Sequence, residues 1–136
     1  MNTLNLTAAT DRPVLRLKPL LFVDALTCLL MGVLLVLAAA PLATLLGLPQ
    51  DLLFYAGLVL FPCAALMAQA ACSLHRLLVW MVIFGNFAWV VASVAIVFAL
   101  EPTTLGVAFT LIQAAAVALL GILEWRAWRA EREVAR

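Results

Sequence analysis

The sequence predicts an all-α membrane protein, a polytopic four-transmembrane-helix antiparallel bundle forming one integral membrane domain over residues 1–136. Three observations carry that prediction. Of 136 residues, 68% are hydrophobic and 11% are charged, whereas a soluble domain runs about 45–50% apolar and about 25% charged. A soluble chain of this length could not bury so much apolar surface, because small domains leave much of their surface wet. A soluble globular enzyme is thereby excluded. Second, four apolar stretches each approach the roughly 20 residues that cross a hydrocarbon core of about 30 Å. Third, nowhere do polar and apolar residues alternate over about ten positions as in a barrel strand, so backbone groups in lipid must be satisfied within helices.

The first span is read at about residues 20–40 and holds one charge, Asp24. Ala38-Ala39-Ala40 imitates a small-residue cleavage site. The apolar run is nevertheless longer than the roughly 7–15 residues of a signal-peptide core, so retention as a span is expected. Pro41, Gly47, Pro49 and Asp51 close this span and open the second, about 52–72. Pro62 inside the second span removes a backbone donor and should kink it. Ser73, His75 and Arg76 lead to the third span, about 77–100, and Glu101 and Pro102 lead to the fourth, about 105–123. The tail, 124–136, is expected to continue as a helix at the interface, with Arg129 and Glu133 as an i,i+4 pair. It holds four Arg and three Glu. That excess is too small for strong attraction to anionic lipid at about 1 kcal/mol per basic residue, so the tail reads as a topology anchor rather than a docking helix.

With four spans, Arg12, Arg16, Lys18, Arg76, Arg126, Arg129, Arg132 and Arg136 all fall on one side, and Asp51 and Glu101 on the other. Basic residues in short loops stay cytoplasmic, so both termini and the loop at His75 are expected in the cytoplasm. The glycosylation-like Asn5-Leu6-Thr7 would then never leave it. Trp80, Trp125 and Trp128 occupy aromatic-belt positions at that face.

Chemistry-bearing motifs are missing. Cys28, Cys63 and Cys72 all lie in spans and include no C-x-x-C, so each is expected to pack as a small hydrophobe. His75 is the single histidine, which excludes a two-histidine haem site within one chain and leaves a lone axial ligand as the weakest of the readings. No Walker loop, G-x-S-x-G or H-E-x-x-H occurs. The expectation is a protein that is not an enzyme, with no catalytic residues, no cofactor and no metal site.

Polar residues inside spans are the default place to look for function. Gly106, Thr110, Gln113, Val117, Leu120 and Glu124 share one face of the fourth span, beside a small-residue ladder of Gly106, Thr110, Ala114 and Ala118. Asn86, Trp89 and Ser93 share a face of the third. At 1.5 Å per residue, Asn86 lies about 13 Å inside Leu77 and Gln113 about 15 Å inside Leu123, so an interhelical amide pair is expected between them. Asp24 lies about 6 Å inside the cytoplasmic edge, with Thr27, Cys28 and Met31 on its face and Gln69 at a similar level. Lys18, Arg76 and Arg126 could snorkel to it. The candidate intramembrane polar site is therefore Asp24, Gln69, Asn86 and Gln113. A carboxylate paired with a basic or amide group reads as structural; one facing a water-accessible cavity without a basic partner reads as a coupling site.

Asp24 with Gly32, Pro41 and Gly47-Leu48-Pro49, the run Asn86-Phe87-Ala88-Trp89-Val90-Val91-Ala92-Ser93, and Leu105-Gly106 with Gln113 resemble a group of short bacterial four-span integral membrane proteins. The resemblance covers most of the chain and implies no activity. Small multidrug transporters share the size and span count, but their first-span carboxylate is a Glu, and their dual-topology members have nearly balanced loop charges. The first functional expectation is a non-enzymatic protein of the bacterial inner membrane, a small accessory, assembly or interaction subunit. It would contact the lipid bilayer and other membrane helices, as a homo-oligomer or in a larger complex, and no nucleic acid. The alternative is a small oligomeric transporter or channel using Asp24, Asn86 and Gln113.

Overall fold

The computed structural model describes residues 16–136. Its elements run α1 (Leu17–Leu37), α2 (Ala39–Leu46), α3 (Gln50–Ser73), α4 (Arg76–Leu100) and α5 (Thr104–Val134). Four of them, α1, α3, α4 and α5, are long and apolar enough to cross a membrane. Arg12 and the Asn5-Leu6-Thr7 stretch lie outside the described residues.

Boundaries differ from the sequence reading at the first span, for a local reason. The first apolar run is not one helix. Pro41 cannot donate to the carbonyl four residues earlier, that of Leu37, and the helix breaks one residue after it at Ala38. Pro41 then sits in the first turn of α2, where free amides are the rule. Gly47 ends α2 in the left-handed conformation, with its N–H on the Ala43 carbonyl. α5 follows the expectation that the tail continues as a helix. The expected span and tail are one helix of 31 residues, about 46 Å long. Nothing between Leu123 and Trp125 breaks a helix, since Leu, Glu and Trp carry no β-branch and no ring at the backbone nitrogen. α3 runs on through Pro62.

The spanning helices form a ring in the order α1, α3, α4, α5. α1 packs most extensively on α3, and α4 on α5; the α3–α4 and α1–α5 seams are looser, and the diagonal pairs do not approach. Gly32 and Gly57 mark the α1–α3 crossing, where a Cβ on Gly32 would stand 3.0 Å from the Gly57 carbonyl oxygen. Small residues allow such close backbone approach in lipid. On α1, the buried residues Leu17, Leu21, Asp24, Ala25, Cys28, Gly32 and Leu35 make one stripe. On α5, the stripe runs through Gly106, Thr110, Ala114, Gly121, Glu124 and Ala127, so the small-residue face does look into the bundle.

α2 belongs to the far end of the bundle, beside the start of α5. Thr103 caps α5 by accepting the Gly106 N–H, while its own N–H and hydroxyl donate to the carbonyls of Leu46 and Leu45. At the terminal end, His75 is the N-cap of α4, its Nδ1 accepting the Leu77 N–H at 3.3 Å. The lone histidine thus has a local structural task. The Leu17 N–H donates to Glu131 Oε1 at 2.9 Å, which ties the start of α1 to the tail of α5.

Candidate functional site

Three polar side chains meet inside the bundle, one from each of α1, α4 and α5. Asp24 and Asn86 are 3% exposed and Glu124 is fully buried. Asn86 Nδ2 donates to Asp24 Oδ2 at 2.7 Å and to Glu124 Oε2 at 3.1 Å. A carboxamide has two N–H donors and both are used. The two accepting oxygens therefore lie within about 6 Å of each other, since each is one hydrogen-bond length from the same nitrogen. The Asp24–Asn86 bond crosses the diagonal of the ring, between helices whose backbones do not approach. Glu124 Oε1 has no hydrogen-bond partner among the described residues.

The local sequence explains the convergence. Asp24 falls on the buried α1 stripe, one turn from Leu21 and Cys28. Asn86 shares the buried face of α4 with Val79, Val82, Ile83 and Ser93. Glu124 follows Gly121 on α5, and a Cβ on Gly121 would stand 3.4 Å from that of Asn86. Gly121 therefore lies beside Asn86 where α4 and α5 meet.

That level corrects the expected amide pair. Asn86 does not bond Gln113. Counting depth from Leu123 placed them opposite, but α5 extends to Val134, about three turns further. Asn86 is thus opposite Gly121 and Glu124. Gln113 is level instead with Ser93, whose hydroxyl accepts from Gln113 Nε2 at 3.4 Å. Gln69 does not join the site. It is exposed on α3, where its carbonyl accepts the Ser73 hydroxyl. Nor do the basic residues named for Asp24: its observed side-chain donor is Asn86. The residue missed by sequence reasoning is Glu124. The inward face of the fourth span already included it, but its position after the last apolar residue assigned it to the tail.

A cavity of about 180 Å³ is lined from all four spanning helices and opens at the bundle surface, where Thr27, Met81, Gly85 and Ala116 of its wall are exposed. Asp24, Asn86 and Gln113 supply its polar edge; Trp89, Cys28, Cys63 and aliphatic side chains, with three Met among them, make up the rest. Asp24 therefore has both an amide partner and a cavity. A second, shallower recess of about 400 Å³ lies where the last turns of α5 meet α4. There Arg129 lies over Trp125 at 5.5 Å and Arg132 over Trp128 at 5.3 Å. Arg129 is thus engaged by an aromatic face, where a pair with Glu133 had been expected.

Chemically, two carboxyl groups on one neutral donor can hold a positive charge. Buried charge needs a partner, and a neutral amide supplies only hydrogen bonds. Comparisons with protein-family models, with curated proteins and with solved structures give no match.

Proposed function

We propose that this multi-pass membrane protein binds a mobile positive charge at Asp24, Asn86 and Glu124 and carries it through the bilayer as a small transporter. The observation that carries the reading is the unpartnered, fully buried Glu124 Oε1, joined through Asn86 to Asp24, a second buried carboxyl that lines a cavity. A structural carboxylate would be expected to have all its acceptors filled. Intramembrane acids facing a cavity mark ion and substrate paths. The function is binding and passage rather than catalysis.

The setting is the bacterial inner membrane, with both termini cytoplasmic, supported by the one-sided distribution of Lys and Arg. Reporter fusions after Arg136 check this orientation: GFP should fluoresce and alkaline phosphatase should be inactive, and the reverse result overturns it. Only 22–28% of the most apolar window of each spanning helix is buried within the chain. The remaining surface is available to lipid and to other membrane helices, which supports oligomerisation. The same surface supports a second reading, an accessory or assembly subunit of a larger membrane complex.

Reconstitution tests the first reading. Proteoliposomes with an imposed inside-negative potential should show charge movement with at least one of proton, sodium or an organic ammonium ion. Glu124→Gln and Asp24→Asn, which keep shape, should each reduce it at least tenfold. A folded wild-type protein that moves none of these cations, or moves them equally well in both variants, overturns the carrier role and leaves the subunit reading.

A further inference from the structure

We infer that the charge accepted by this site arrives on a small apolar organic monocation, an ammonium ion bearing a hydrocarbon group, seated in the cavity between the spanning helices. The inference rests on the cation-binding reading and names the ligand class.

Four features of the cavity point to that class. Its volume, about 180 Å³, is near that of an engineered apolar cavity of about 150 Å³ that admits benzene. A single aromatic or branched aliphatic group is therefore the right size, and a drug-sized molecule is too large. Its walls are mainly hydrocarbon and sulfur, with Met31, Met67, Met81, Cys28 and Cys63 among them. Methionine walls adapt to varied apolar shapes. Trp89 also lines it, and an indole face attracts ammonium and quaternary ammonium groups. Finally, Asp24 stands on the wall while Glu124 is joined to it through Asn86, which puts the negative charge at one edge of an apolar chamber.

An inorganic cation fits less well. Among the described residues no group of three or more His, Cys, Asp or Glu side chains is placed to hold a metal ion. A hard cation would need about six oxygens in place of its water, and the cavity wall supplies few. An ammonium ion with apolar substituents sheds little hydration and gains both the carboxylate and the hydrocarbon wall.

Gly85 supplies the test position. It lines the cavity, and a Cβ added there would meet nothing within 4 Å. Gly85 is exposed on that wall, so Gly85→Leu adds bulk at the mouth of the cavity while leaving Asp24, Asn86 and Glu124 unsubstituted. Benzyltrimethylammonium is titrated into the purified full-length protein in nanodiscs by calorimetry, with sodium chloride titrated in parallel. Circular dichroism and size-exclusion chromatography verify that each variant is folded. Wild type should bind benzyltrimethylammonium with a Kd below about 1 mM. Asp24→Asn and Gly85→Leu should each weaken binding at least tenfold, and Gly85→Ala should leave it within about threefold. Sodium binding or flux without benzyltrimethylammonium binding overturns the organic-cation assignment and preserves the charge-binding site. Absence of both overturns the two together. Benzyltrimethylammonium binding that is unchanged in Asp24→Asn or Gly85→Leu places the ligand outside the cavity and also overturns the inference.

Discussion

Replacing Asn86 with Leu should cost about 3 kcal/mol of stability, more than the loss of an ordinary interhelical hydrogen bond. Such bonds average about 0.6 kcal/mol in one measured membrane protein. Asn86 is different because one side chain donates to two buried carboxyl groups. Its removal leaves Asp24 and Glu124 facing each other with no shared donor. An unsatisfied buried acceptor costs about 1–3 kcal/mol, and more when charged. Leucine is close in size to asparagine, so little of the loss comes from a cavity. Gln113→Leu is the matched control. It removes one long bond to Ser93 at 3.4 Å and should cost no more than about 0.6 kcal/mol. Denaturation in mixed detergent micelles reads both. Equal effects for the two variants would mean that the three-residue centre contributes no more than a routine polar contact.

The second large effect is expected at Gly106, where α2, α5 and the loop between α4 and α5 close on one another. A Cβ at Gly106 would run into the Leu46 carbonyl oxygen, which also accepts the Thr103 N–H at 3.0 Å. The Leu46 carbonyl is backbone and the Pro102 Cβ, 2.9 Å away, is held in a ring, so no rotamer change relieves the clash. Gly→Ala in a helix interior normally stabilises by about 1 kcal/mol through propensity. Here the sign should reverse, with Gly106→Ala destabilising by about 1–3 kcal/mol as α2 is pushed off α5. Gly85→Ala should follow propensity and be neutral or stabilising, because open space surrounds that position. A Gly106→Ala variant as stable as wild type would show that α2 moves aside at no cost.

How much of this was legible depended on the range of the interaction. Four spans, the inward faces of the third and fourth and the small-residue ladder of α5 follow from composition and from helical period, both local properties. Asp24 and Asn86 could be singled out because a polar group in an apolar run is conspicuous. Two local features were misjudged by one step. Pro41 ends a helix, yet the chain resumes a helix at once in α2, because a proline in a first turn costs no bond. Glu124 was assigned to the tail because hydropathy falls there, although the helix was expected to continue and does so to Val134.

The sequence by itself determined the all-α class, the number of spans and the inward faces of the third and fourth, since lipid forces every backbone bond to close within its own helix. Tertiary structure alone decided which polar residues meet. Axial level between helices is decided by contacts such as that of Gly121 beside Asn86 and the close approach of Gly106 to Leu46, which no local pattern specifies. A shift of two to three turns turned an expected Asn86–Gln113 pair into an Asp24–Asn86–Glu124 centre. It left Gln113 with Ser93 and Gln69 on the outside. Helical period specifies the direction a side chain faces; only packing specifies the height at which it finds a partner.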